Sequence, residues 1–199
     1  MCIRDSPSDE GRLAPLPAMN ILGAVLAGGQ STRFGSDKAL ALLDGTALLD
    51  HALASLQPHC ATLVVVGHPH ATMPTIPDLP VSGLGPLGGI AGALAYAADH
   101  GFDAVLTTAC DTPELPAALV ATLIAEAPAY AAEAPTVALW PVHLAMPLLT
   151  HLLGNGPRAI RHWADAIGAR SIMPGMALTN INTPGDLATL TREPPSRRA

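Results

Sequence analysis

Apolar and polar positions divide this chain into short alternating blocks. Ile21 to Leu26 is apolar throughout and closes on glycines, the pattern of a strand buried on both faces of a parallel sheet. From Ala47 to Leu56 the apolar positions Leu48, Leu49, Ala52, Leu53 and Leu56 recur on one helical stripe, and Thr62 to Val66 is a second β-branched run. The alternation continues with a small-residue helix over Gly88 to Ala98, a strand over Ala104 to Thr108 and a helix over Leu119 to Ala127. A further strand over Thr136 to Trp140 follows, then helices over Leu144 to Leu153, Arg158 to Ala166 and Pro184 to Leu190. Strand and helix taking turns imply an α/β protein: an open, mostly parallel central sheet with helices on both faces, binding ligands at the carboxyl ends of its strands. The loops to search therefore follow Leu26, Val66 and Thr108, and Pro69 to Pro86 reads as one long functional loop.

Composition narrows the picture. The chain has 199 residues, 49% hydrophobic and 13% charged, which suits one domain with a large core. We expect that domain to span residues 19–192, with 1–18 a disordered leader or gene-model scar and 193–199 a disordered tail. A net charge of -6 offers no basic field for nucleic acid, and no apolar stretch reaches membrane-spanning length, since Pro141, His143 and Pro147 interrupt the greasiest one. Cys2, Cys60 and Cys110 are odd in number and lack CxxC spacing, which fits a reducing cytoplasm.

The first loop carries the chemistry. AVLAGGQSTRFGSDKAL sets Gly28, Gly29, Arg33 and Lys38 directly after the first strand. Glycine lets backbone N–H groups approach an anion, while a guanidinium fork plus a point charge suits a polyphosphate. The loop is neither GxxxxGK[ST], because Ser36 follows Gly35, nor GxGxxG, because Gly28 and Gly29 are adjacent. Asp111 ends the strand-like AVLTTAC run and should face the same crevice, where a hard carboxylate suits Mg2+. Its competing reading is a helix cap, with Glu114 at capping-box spacing and Pro113 in the first turn. Asp78 could be a turn residue beside prolines or could accept two donors from a base. Thr183, Pro184 and Asp186 make a helix start, leaving Asn180 and Asn182 free for a ligand. His68 and His70 have strand spacing but no third partner, and read as ordinary loop histidines.

LAGGQSTRFGSDKAL resembles the LAGGxSxRMGxDKxL segment of the molybdenum cofactor guanylyltransferases, within the nucleotidyltransferase superfamily. IPDLPVSGLGPLGGI, CDTPELP (Cys110 to Pro116) and NINTPGDL (Asn180 to Leu187) resemble that family's later motifs, in the family's order. The resemblance implies a three-layer Rossmann-like nucleotidyltransferase fold. It also implies transfer of GMP from GTP to molybdopterin, with or without molybdenum already bound, and release of pyrophosphate. In that scheme Leu26, Ala27, Gly28 and Gly29 cradle the nucleotide, Lys38 and Arg33 stabilise phosphate charge, Asp111 holds Mg2+ and Asp78 reads guanine. Asn180, Asn182, Arg158 and Arg161 are the candidates on the pterin side, and apo-molybdoenzymes or their chaperones are further partners. Gly28–Gly29 leans to the guanine branch, because related cytidylyltransferases have alanine there. Departures are Phe34 for Met, Gly185 for an acidic residue, Ala134 for a basic one, and Gly67 where some members carry a nucleotide-touching asparagine. The alternatives are a related cytidylyltransferase, another small-molecule nucleotidyltransferase, or a non-catalytic protein that delivers finished cofactor.

Overall fold

The computed structural model describes residues 19–28, 37–173, 175 and 177–192. In chain order its strands and α-helices are β1 (Ile21–Leu26), β2 (Leu42–Leu43), β3 (Thr46–Ala47), α1 (Leu48–Leu56), β4 (Thr62–Val66), β5 (Thr75–Ile76), α2 (Pro86–Asp99), β6 (Ala104–Ala109), α3 (Ala117–Ala125), β7 (Ala129–Ala131), β8 (Ala138–Pro141), α4 (Ala145–Leu153), α5 (Ile160–Ala166), β9 (Arg170–Ile172) and α6 (Pro184–Arg192).

Seven strands form one sheet in the order β5-β4-β1-β6-β8-β7-β9. β1 pairs in parallel with β4 and β6, and β4 with β5; β8 runs antiparallel to both neighbours; β7 and β9 are parallel. All of β1 is buried, and its side chains alternate between two cores as a strand covered on both faces requires. Leu22, Ala24 and Leu26 join α2, α4 and α5 residues such as Leu94, Leu148 and Trp163 on one face. Ile21 and Val25 join α1 and α3 residues such as Leu53 and Leu123 on the other. This is the expected three-layer α/β arrangement. β2 and β3 form a separate hairpin whose turn residues Asp44 (φ 51°) and Gly45 (φ 83°) take the left-handed conformations a two-residue hairpin turn needs. Its Leu43 packs with Leu48 and Ile181, and Leu187 and Leu190 bring α6 onto that cluster.

The expected strands over Ile21–Leu26 and Thr62–Val66 appear with those bounds. The helix expected from Gly88 starts two residues earlier, at Pro86, because Gly85 takes φ 71° and supplies the entry turn. Residues 1–18 and 193–199 lie outside the described residues, as do Gly29 and Arg33. Among the described residues, no helix is long and apolar enough to cross a membrane.

Candidate functional site: a cleft at the carboxyl edge of the sheet

Parallel pairing brings the ends of β1, β4, β5 and β6 to one edge. The chain beyond each strand is stitched to its neighbour there: Ala27 N–H donates to the Val66 carbonyl (3.0 Å) and Gly67 N–H to the Ile76 carbonyl (3.0 Å). Between these loops lies a cleft of about 1080 Å³ lined by Gly28, Gly67, His68, Asp78, Ser82 and Gly85, among others, a volume on the scale of a nucleotide-sized ligand.

Asp78 is seated among glycines. A Cβ added at Gly28, Gly67 or Gly89 would lie 3.7, 3.5 or 3.6 Å from its Oδ1, so three glycines bring backbone close to the carboxylate. Gly67 is under double constraint. Its φ is 76°, and a Cβ there would come within 2.7 Å of the Gly28 Cα. An asparagine in its place would push the first and second loops apart in this chain. Below Asp78, Leu79 N–H donates to the Gly88 carbonyl (3.0 Å), and a Cβ at Gly92 would run into the Pro77 carbonyl oxygen. The small residues of α2 thus let the Pro77–Leu79 segment lie directly on the helix. The steric role expected of Gly88 and Gly89 extends to Gly92, which sequence reasoning missed although it falls one turn further along the same helix.

Lys38 and Asp111 come from loops separated by 73 positions in sequence, yet Lys38 Nζ donates to Asp111 Oδ2 at 3.2 Å. Lys38 opens a 3-10 turn, Lys38–Leu40, capped by Asp37, whose Oδ1 accepts from Ala39 N–H at 3.1 Å. Asp111 follows β6 in a turn, its Oδ1 accepting the Thr112 hydroxyl (3.3 Å), while Ile181 N–H holds its carbonyl (2.9 Å). α3 begins only at Ala117, with Pro116 in the capping position. The capping-box reading of Asp111 and Glu114 therefore falls away, and the Asp111 carboxylate is left for the Lys38 ammonium and the crevice. Cys110 beside it has its thiol pushed up to about 11, by burial first and by the Asp111 charge second, against the opposing pull of Lys38. It behaves as a small apolar residue.

The fit of a divalent cation can be judged from the donors. Among the described residues no three His, Cys, Asp or Glu side chains cluster as a metal cage. A single accessible carboxylate beside a lysine nevertheless fits Mg2+, which takes one or two carboxylates and completes its shell with phosphate oxygens and water. Asp111, with its side chain 26% exposed, meets that requirement.

The remaining candidates lie around the same edge. Ile181 is fully buried and its backbone is tied to Asp111, so Asn180 and Asn182 on either side of it are exposed next to the carboxylate. The Thr183–Asp186 capping box forms as expected: Asp186 N–H donates to Thr183 Oγ1, and Asp186 Oδ2 accepts from Asn182 and Thr183 N–H. Those two backbone donors hold the Asp186 carboxyl below its ordinary range. Arg161 donates to the Ala132 carbonyl just past β7, whereas Arg158 is exposed. The two histidines are not ordinary loop residues: His68 meets Asp37 (2.8 Å) and His70 meets Asp50 (3.0 Å), partners far away in sequence and invisible to local spacing.

The cleft beside Asp78 and the Lys38–Asp111 pair both lie at the parallel edge of the sheet, and residues 23–177 match the family model of the MobA-like NTP transferase domain, which makes the chain a nucleotidyltransferase. A molybdenum cofactor guanylyltransferase of Rhodobacter capsulatus is 39% identical over 180 residues, covering 85% of this chain and 94% of that one; another, of Acidiphilium cryptum, is 37% identical over 182 residues, covering 84% and 92%. The chain belongs to the molybdenum cofactor guanylyltransferase family. Its fold is shared with the crystal structure of molybdopterin-guanine dinucleotide biosynthesis protein A from Archaeoglobus fulgidus, at TM-score 0.65 and 22% identity, covering 85% of this chain and 96% of that one. It is shared too with 2-C-methyl-D-erythritol 4-phosphate cytidylyltransferase of Thermus thermophilus, at TM-score 0.60 and 15% identity, covering 87% and 97%.

Proposed function

We propose that this enzyme transfers GMP from GTP to the terminal phosphate of molybdopterin, forming molybdopterin guanine dinucleotide and releasing pyrophosphate. The observation that carries the reading is the Lys38–Asp111 contact at the edge where the Asp78 cleft opens. It joins a cation for the triphosphate and an anion for its counter-ion. The attacking phosphate oxygen is already anionic, so a new P–O bond forms at the α-phosphorus and the α–β bridging bond breaks without a general base. Lys38, with Arg33 from the preceding loop, stabilises charge on the departing pyrophosphate, and the Leu26–Gly29 backbone cradles the nucleotide. Asp78 accepts from guanine N1–H and N2–H, a pair of donors that adenine and cytosine do not present in that pattern. Asp111 would hold Mg2+, which supplies charge neutralisation on the phosphates. Asn180, Asn182, Arg158 and Arg161 face the pterin, with Arg161 fixed by the Ala132 carbonyl and Arg158 exposed. Half-buried free thiols at Cys60 and Cys110 support a reducing cytoplasm as the place of action, and apo-molybdoenzymes or their chaperones are the expected recipients of product.

Incubation with molybdopterin, Mg2+ and each nucleoside triphosphate, followed by mass analysis, tests the reading. The guanine dinucleotide and pyrophosphate should form from GTP. A cytosine dinucleotide would move the protein to the cytidylyltransferase branch, and tight binding of finished cofactor with no pyrophosphate from any nucleotide would make it a delivery protein.

A further inference from the structure

The two histidine–carboxylate pairs behind the cleft differ in a way that assigns one of them a task. His70 Nδ1 accepts from Thr72 and Met73 N–H (3.3 and 3.1 Å), so the ring keeps its single proton on Nε2 for Asp50. His70 thus closes its own loop. His68 faces acceptors on both sides, with Nδ1 2.7 Å from the Pro69 carbonyl and Nε2 2.8 Å from Asp37 Oδ2, so its ring bridges its own loop and the loop after β1. The Thr75 hydroxyl donates to the His68 carbonyl and fixes its backbone.

Asp37 is shared between two tasks. Oδ2 takes His68, while Oδ1 caps the 3-10 turn whose first residue is Lys38. A connected path therefore runs from the loop after β4 through His68 and Asp37 to the Lys38 turn, and from Lys38 Nζ to Asp111 after β6. We propose that His68 is a positioning residue for Lys38, a clasp through Asp37 that fixes the Lys38 turn relative to the cleft that His68 itself lines. The clasp acts before substrate arrives and lowers the cost of ordering Lys38 on the triphosphate. The assignment rests on the guanylyl-transfer reading for its kinetic consequences, but not for its structural one.

Two measurements test it on the full chain. The first is tryptic cleavage after Lys38, followed by mass spectrometry under native conditions: His68→Ala should be cut severalfold faster there than the parent, His68→Arg should restore protection, and His70→Ala should leave the rate unchanged. The second is steady-state kinetics with GTP and molybdopterin. His68→Ala should lose roughly 3- to 10-fold in kcat/KM for GTP, the scale of one partly exposed charged hydrogen bond, with KM for molybdopterin unchanged. His68→Arg should recover most of that loss, and His68→Ala combined with Asp37→Ala should lose no more than Asp37→Ala alone. Unchanged cleavage after Lys38 in His68→Ala, or losses at His68 and Asp37 that add in full, would overturn the clasp. Failure of the parent to form dinucleotide from any nucleotide would sink the guanylyl-transfer reading instead, and the cleavage rates would still decide the clasp.

Discussion

The two ends of the sheet are built differently. From β5 to β6 every pairing is parallel, the strand ends converge, and the cleft is shaped by backbone meeting backbone: Gly67 on Gly28, Gly92 on Pro77, Leu79 on Gly88. From β8 to β9, β8 is reversed, and the candidate ligand groups are long side chains, one of which, Arg161, is held by a carbonyl. Close main-chain contacts leave little room to adjust, whereas long exposed side chains can swing. The proposed nucleotide end is thus preorganised and the proposed pterin end adaptable.

Substitutions can break this contrast. The largest effect should come from Asp111→Asn, which exchanges an ionic ligand for an amide: turnover should fall by roughly 10²- to 10³-fold, the usual cost of removing one preorganised charged group, with the melting temperature nearly unchanged. Pyrophosphate release and calorimetric melting check both halves. Next, Gly67→Ala should destabilise the protein by about 1–3 kcal/mol and weaken GTP binding, since it combines a forbidden φ with a collision against Gly28. Gly168→Ala near the other end, also at positive φ (70°) but with open space around it, should cost only about 1 kcal/mol in a urea titration and leave GTP affinity alone. Equal penalties at the two positions would show that the contrast is one of dihedral strain and not of packing. Arg158→Ala should raise KM for molybdopterin a fewfold, about what one exposed charge contributes, without touching KM for GTP.

The smallest effect concerns pH. Backbone donors depress the folded pKa of Asp186, so the stability it lends the start of α6 is present at neutral pH. That stability fades as the pH falls below the ordinary carboxylate range and through the depressed folded value. Asp186→Asn should flatten that part of an acid titration of melting temperature.

The same division governs what could be read from the chain beforehand. β1 and β4 are legible to the residue because a fully buried parallel strand must be apolar along its whole length. β5, β7 and β9 are two or three residues long, too short to show a period, and they exist because a neighbouring strand offers hydrogen-bond partners. The β2–β3 hairpin did carry a local signal, Asp44–Gly45 between Leu42–Leu43 and the β-branched Thr46, that a helix-centred reading passes over. Lys38 and Asp111 could each be picked out by residue type and position after a strand, but their contact depends on where two loops end up. Asp37 and His68 gave no such hint. Each looks like a solvated loop residue until the fold sets them side by side.

β8 has a consequence for traffic between the two substrates. Counting from β6, the chain direction reverses once at β8 and again at β7, and the two reversals cancel. Had only one of those pairings been antiparallel, the end of β7 would have opened on the far rim of the sheet, with the sheet itself standing between donor and acceptor. As built, the carboxyl ends of β6 and β7 share one rim, which leaves the proposed nucleotide and pterin groups on the same side of the sheet.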